Sequence, residues 1–197
     1  MMKNVNESNI ELEQKSMFDA LACAIDKHGA TYVSGPITTG RRYVEWYLSE
    51  GYACAGSPNF RDRLRDAVIR QNEIDILKVA AKARARGNGV VIEPASLHKF
   101  EWGQDDYASF WCGVIERFVG RLIMLDGWQF SLGCVAEFHE ARRLRIPIEN
   151  QHGDVLDYSF AKHMVEEAVK ELEARHFQAA SLENLTCGLR SYALQWN

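Results

Sequence analysis

Ser131, Gly133 and Glu137 fall in the run Ser-Leu-Gly-Cys-Val-Ala-Glu, just after the apolar stretch Arg121–Leu125. Serine is a favoured helix N-cap, and glycine leaves backbone N–H groups accessible. The run therefore reads as a helix start with a carboxylate in its opening turns. That carboxylate is either a solvated charge favoured by the helix dipole or a reagent facing a ligand. Glu140 lies one turn further on. His139 points away from Glu137 on helical geometry and reads as an incidental helix residue.

A second run, Tyr-Val-Ser-Gly-Pro-Ile-Thr-Thr-Gly-Arg-Arg, spans Tyr32 to Arg42. Gly35 and Gly40 let backbone approach a ligand closely. Thr38 and Thr39 offer hydroxyls, Arg41 and Arg42 positive charge, and the helix start that follows offers unpaired N–H groups suited to an anion. The Gly-Lys-Ser/Thr ending of a P-loop is absent. One loop thus fits an anion, and the other presents a carboxylate beside further N–H donors. A carboxylate facing a phosphorylated small molecule suits attack on an electrophilic carbon or stabilisation of a developing cation. Cleavage of a sugar–base bond requires this, because the departing base leaves an oxocarbenium-like C1′.

The elements that must position these loops alternate. Ser8–Lys27 reads as an amphipathic helix on Met17, Phe18, Leu21, Ala22 and Ile25. A strand follows around Ala30–Ser34, stopped by Gly35 and Pro36, then a helix from Gly40 with Gly51 just past its end. Arg61–Arg86 is predicted as a longer helix, with eight Lys/Arg against four Asp/Glu and a buried stripe of Leu64, Val68, Ile74, Leu77 and Ala81. Its basic side reads as a solvated face. Gly89–Pro94 and Arg121–Leu125 are continuous apolar strands, with a helix between them from Asp105 to Phe118. Leu132–Arg143 is a helix, Arg145–Glu149 a last strand whose Pro147 suggests an edge, and Val155–Phe177 an amphipathic helix. The tail after Gln178 has no strong pattern, but its apolar end, Tyr192–Asn197, suggests docking on this subunit or another. Trp102, Trp111, Trp128 and Phe130 read as core.

Apolar strands joined by helical crossovers imply an α/β fold with a mostly parallel, doubly wound sheet and helices on both faces. Ligands in such sheets sit beyond the carboxyl ends of the strands, where strand order reverses. The chain of 197 residues reads as one domain, 1–197, with residues 1–7 disordered and 61–86 an inserted basic helix. A net charge of −4 argues against a nucleic-acid binder. Five scattered cysteines without a Cys-x-x-Cys pair point to no structural zinc and a reducing, cytoplasmic setting. No apolar run approaches the ~20 residues of a membrane span.

The two loops together resemble the nucleoside 2-deoxyribosyltransferase-like superfamily, and within it most nearly the 2′-deoxynucleoside 5′-monophosphate N-glycosidases. The family's first loop, Tyr-Phe-x-Gly-Ser-Ile-x-Gly-Gly-Arg, is similar to Tyr32–Arg41. Its second, Ser-Leu-Gly-x-x-x-Glu, is similar to Ser131–Glu137. About two-thirds of the chain is covered, leaving out the N-terminal helix, the Arg61–Arg86 helix and the tail. The resemblance implies a flavodoxin-like fold, no cofactor or metal, and a homo-oligomer acting on a small nucleotide. Glu137 would be the nucleophile and Tyr32 would orient it or the sugar. Gly35, Ile37 and Arg41 would line the 5′-phosphate pocket, completed by Ser131 and Gly133. One position departs: ungapped alignment puts Gly113, beside Cys112, where the family has an Asp that assists proton transfer. Glu116, or Asp105 or Asp106, would be the substitute acid. The implied activity is hydrolysis of a nucleoside monophosphate. The rivals are a deoxyribosyltransferase, a nucleotide sensor without turnover, and an NAD-cleaving enzyme.

Overall fold

The computed structural model describes residues 2–87, 89–99, 101–175 and 180–196. Four strands, β1 (Ala30–Ser34), β2 (Val90–Ile92), β3 (Val119–Met124) and β4 (Ile148–Asn150), form one sheet in the order β2-β1-β3-β4. Every pairing is parallel. This is a doubly wound α/β sheet of flavodoxin-like order, and the strand order reverses between β1 and β3.

Strand alternation divides the core. Val33, Val91, Ile123 and Leu125 face one way and pack against Ile76, Ala80 and Ala83 of helix α5 (Arg70–Ala85). Tyr32, Leu122 and Met124 face the other way, toward helices α6 (Gln104–Phe118) and α7 (Leu132–Arg143). Residues two apart on a strand share a face, so Tyr32 and Ser34 both point toward α7. Helix α1 (Met2–Ala24) lies against α6, stacking Phe18 on Phe110 at 5.0 Å. It starts at Met2, ahead of the expected Ser8, and takes in most of the segment 1–7 expected to be disordered. Ala22 is exposed, whereas Met17, Phe18 and Leu21 pack on the core.

Three expectations are corrected. Gly51 does not end its helix. Helix α2 (Arg41–Trp46) runs through a π-helical turn, Tyr47–Gly51, into α3 (Tyr52–Cys54). A Cβ on Gly51 would stand 2.7 Å from the Trp46 ring, so glycine serves packing there. The basic segment is α4 (Phe60–Leu64), a π-turn (Arg65–Ile69) and α5, and its buried stripe is Val68, Asn72, Ile76, Ala80 and Ala83. Ile74, Leu77 and Ala81, assigned to that stripe from sequence, are exposed. Asn72 is the reason: a buried polar residue interrupts the apolar pattern, and the reading slid to the next isoleucine.

Beyond β4, an edge strand as Pro147 suggested, helix α8 (Tyr158–Ala174) starts on Asp157, whose carboxylate accepts from Phe160 N–H at 2.9 Å. The tail is helical, α9 (Ala180–Gln195), and docks on this chain. Leu182, Leu185 and Leu189 are buried. Trp196 stacks between Phe138 and Tyr158 at 5.3 and 5.2 Å. His139 is not incidental. Its ring stacks on Tyr192 at 5.4 Å and meets Trp196 edge-on at 4.6 Å. Burial, then the charge of Arg142, lowers its pKa to about 4. No helix among the described residues is long and apolar enough to cross a membrane.

Candidate functional site

The loops after β1 and β3 meet at the point where strand order reverses. Leu125 N–H donates to Ser34 O at 2.9 Å, extending the β1–β3 ladder one step past the strands. Gly40 N–H donates to Phe130 O at 3.2 Å. Gly40 holds φ 91, and a Cβ there would fall 2.5 Å from Pro36. The loops are thereby locked to each other, and the first turn of α7 lies beside them.

Glu137 is the centre of the arrangement. Only 7% of the residue is exposed, which excludes the solvated helix-start charge. Tyr32 Oη donates to Oε1 at 2.7 Å, and Ser34 Oγ donates to Oε2 at 2.6 Å. Tyr32 and Ser34 are fully buried, and the Trp111 ring stands edge-on to Tyr32 at 5.8 Å. Burial raises the Glu137 pKa from 4.5 to about 7, and the hydroxyls of Ser34 and then Tyr32 hold it from going higher. Desolvation and then the neighbouring Glu137 charge push the Tyr32 phenol well up, so it stays a donor at neutral pH. Burial, then the Glu137 charge, pushes the thiol of Cys134, one turn before Glu137, up to about 12, with the hydroxyls of Ser131 and Ser34 beside it. The result is a dry carboxyl group, gripped on both oxygens and titrating near neutrality.

Ser34 is the member that sequence reading passed over. Its position two residues after Tyr32 on a strand was the available signal. Asn72 is another. Its Nδ2 donates to Ile37 O at 2.9 Å and Thr39 O at 3.2 Å, fixing the first loop from beneath, and its Oδ1 accepts from Arg42. Arg42 also pairs with Asp75 at 2.9 Å.

The residues expected to hold a phosphate are less unified. Gly35 lies against α5, where a Cβ would come 2.6 Å from Ile76 Cγ1. Ile37 is half-buried beside the same helix. Arg41 turns its guanidinium to Glu171 of α8 at 3.2 Å and lies over the Phe130 ring at 4.5 Å. Ser131 occupies the α7 N-cap position but makes no side-chain cap bond. Gly133 is exposed, with open space where a side chain would be. The uncapped first turn of α7 is thus the part of this set that offers N–H groups outward.

The substitute acids are not brought to Glu137. Glu116 forms an exposed ion pair with Arg143 at 3.6 Å. Asp106 accepts from Gly103 N–H at 2.7 Å as an α6 cap, and Asp105 is exposed in the same turn. Gly113 does not face the site either. A Cβ there would fall 2.8 Å from the Phe18 ring and 2.7 Å from Arg117 Nη1. It is a packing glycine under α1, and Cys112 is the α6 residue that feels the Glu137 charge. Among the described residues, no group of three or more His, Cys, Asp or Glu could hold a metal ion.

No protein-family model, no curated protein and no solved structure matches this chain.

Proposed function

We propose that the chain is an N-glycosidase of the nucleoside 2-deoxyribosyltransferase-like kind, hydrolysing the base–sugar bond of a nucleoside 5′-monophosphate, with Glu137 as nucleophile. The observation that carries this reading is the Glu137 carboxyl, nearly water-free and held on both oxygens by Tyr32 and Ser34 where strand order reverses between β1 and β3. Sheets of this order bind ligands outside the carboxyl ends of the strands at such a point. A carboxylate buried among hydroxyl donors keeps its orientation and lies close to ionisation balance near neutral pH.

In this reading the ionised Glu137 attacks C1′. The C1′–N bond breaks, its electron pair leaves with the base, and water supplies the base's proton, because Glu116, Asp105 and Asp106 lie elsewhere. Water then attacks C1′ of the glycosyl ester, giving its proton to the hydroxide left by the first step, and releases the sugar phosphate and the carboxylate. Tyr32 and Ser34 hold the carboxylate throughout. The phosphate sits over the exposed first turn of α7 at Gly133 and draws Arg41 away from Glu171. Without a side-chain acid, the step forgoes a factor of ~10²–10⁴ in rate, so slow turnover is expected.

The test is free-base release, followed by chromatography, from a panel of ribo- and deoxyribonucleoside monophosphates and free nucleosides. Release should require the 5′-phosphate, vanish in Glu137→Gln, and rise as pH passes through about 7, the Glu137 pKa. Equal release by Glu137→Gln would remove the nucleophile. No release, together with a nucleotide-dependent thermal shift, would make the protein a binding module. Exchange of one base for another in preference to hydrolysis would make it a transferase, and cleavage of NAD instead would place it with the NAD-cleaving enzymes.

A further inference from the structure

The far end of α7 carries a second feature, unrelated to Glu137. The helix closes with Arg145 N–H donating to Arg142 O and Ile146 N–H donating to Ala141 O, both at 2.9 Å. This crossed pair is the helix stop that glycine usually builds. Here the left-handed residue is Arg145, with φ 58. An arginine at that point retains backbone strain that glycine would avoid, and retained strain of this kind points to a use for the side chain.

Arg145 lines an open surface cleft of about 480 Å³ together with His139, Arg142, Arg143, Tyr158 and Gln195. A smaller cleft of about 320 Å³ shares Arg142, Arg145 and Tyr158. Arg143 is engaged by Glu140 at 2.6 Å and Glu116 at 3.6 Å. Neither Arg142 nor Arg145 has a carboxylate within ion-pair distance among the described residues. Asp157, on the wall of the smaller cleft, spends its carboxylate on Phe160 N–H. The Arg142 guanidinium lies over the Tyr158 ring at 3.2 Å, and Tyr158 is fixed in turn by stacking on Trp196 and by donating to Trp196 O at 2.5 Å. One wall is therefore preorganised. Cations at a helix C-terminus also offset its dipole, which accounts for Arg142 and Arg143 in the last turn. It does not account for an arginine in the left-handed position.

We propose that this cleft is a binding site for a phosphoryl or pyrophosphoryl anion, free or as part of a small phosphorylated molecule, separate from the Glu137 site. Two guanidinium groups without carboxylate partners match the charge of a dianion and the forked geometry of phosphate oxygens. The Tyr158 and His139 rings and the Gln195 amide supply the remaining wall for an organic group.

Inorganic pyrophosphate, titrated calorimetrically at fixed ionic strength, is the probe. Saturable binding is expected, at least tenfold weaker in both Arg142→Gln and Arg145→Gly and unchanged in Lys15→Gln, an exposed cation of α1 outside both sites. Arg145→Gly is the deciding variant, since Arg142→Gln also strips a cation from the Tyr158 stack. It should melt higher than the parent protein without pyrophosphate while binding pyrophosphate less well, whereas a residue kept only for stability would move melting down. Absence of saturable heat, or binding unaltered in Arg145→Gly, overturns the proposal. Loss of binding in Arg41→Gln alone would move the anion to the β1 loop and overturn it equally.

Discussion

Replacing Glu137 by Gln should change how stability depends on pH, whatever the protein's substrate. The carboxyl titrates near 7 in the folded chain against 4.5 for an exposed glutamate. Its folded pKa is raised, so the folded state holds the proton more tightly than the unfolded chain. Stability from this group is therefore complete below pH 4.5 and is lost as pH climbs toward and through about 7. The gap between those values, at ~1.4 kcal/mol per pH unit, makes the loss about 3 kcal/mol. His139 acts in the opposite sense. Its folded pKa is lowered from 6.5 to about 4, so its contribution is lost as pH falls below 6.5. Both proteins carry His139, so subtracting one profile from the other leaves the Glu137 part. Urea unfolding at intervals from pH 5 to 8 would measure it. The parent protein should lose about 3 kcal/mol relative to Glu137→Gln across the 4.5–7 span, most of it within this range. The slope is the readout, because the Gln amide forces Tyr32 or Ser34 to turn its hydroxyl and so adds a constant offset. A flat difference profile would mean that the carboxyl is solvated in the folded protein, and the case for a buried reagent would fail with it.

Removing Ser34 Oγ deletes the first of the donors that restrain Glu137. A hydrogen bond to a charged group contributes roughly 1.5–3 kcal/mol, so Ser34→Ala should raise the Glu137 pKa by about one to two pH units. A carbon-13 NMR titration of that carboxyl reads this directly, and an unmoved midpoint would show that Ser34 does not hold it. Gly113→Ala should destabilise the protein by about 1–3 kcal/mol through overpacking on Phe18 and leave the Glu137 titration alone. A neutral thermal melt would refute the packing role. Glu171→Gln should leave Arg41 with only its longer pair to Glu45 at 3.9 Å and so lower KM for a nucleoside monophosphate several-fold without changing kcat. An unchanged or raised KM would remove Arg41 from phosphate binding.

The strands were legible because buried parallel strands are short apolar runs bounded by turn residues: Val90–Ile92 is wholly β-branched, Leu122–Met124 is wholly apolar, and Ala30–Val33 is interrupted only by Thr31. Glu137 and Tyr32 were legible because their types and spacing resembled a known pair of loops. Ser34 and Asn72 were not, for related reasons. Each is a polar residue doing buried work, and periodicity counts such residues as gaps. Asn72 even displaced the stripe assigned around it. Helix α9 did carry a pattern, since Leu182, Leu185 and Leu189 recur at helical spacing. Thr186 and Gly188 sit within that pattern, and Gly188 is there because a Cβ would come 2.7 Å from Leu132. Arg41 shows the converse limit. A sequence can place a cation in a loop, but not say that Glu171, 130 positions away, will pair with it.

A purely structural residue at position 137 has an obvious form. Tyr32 and Ser34 present hydroxyls, and a glutamine would accept from one and donate to the other without a titrating charge. An apolar residue with smaller partners would do as well, since buried polar pairs are often replaceable by packed apolar groups. Glutamate instead forfeits about 3 kcal/mol as pH rises from 4.5 to about 7, a large share of the ~5–15 kcal/mol by which domains are stable. Natural chains accept such penalties chiefly where function requires a destabilised group. A sensor that recognised a nucleotide through the loop N–H groups alone would gain nothing from a buried ionisable group. A group that must be anionic beside a developing cation gains its orientation and, through the low local dielectric, its strength from that burial. The stability penalty and the proposed chemistry thus have the same origin, which is why a single pH profile of Glu137→Gln bears on both.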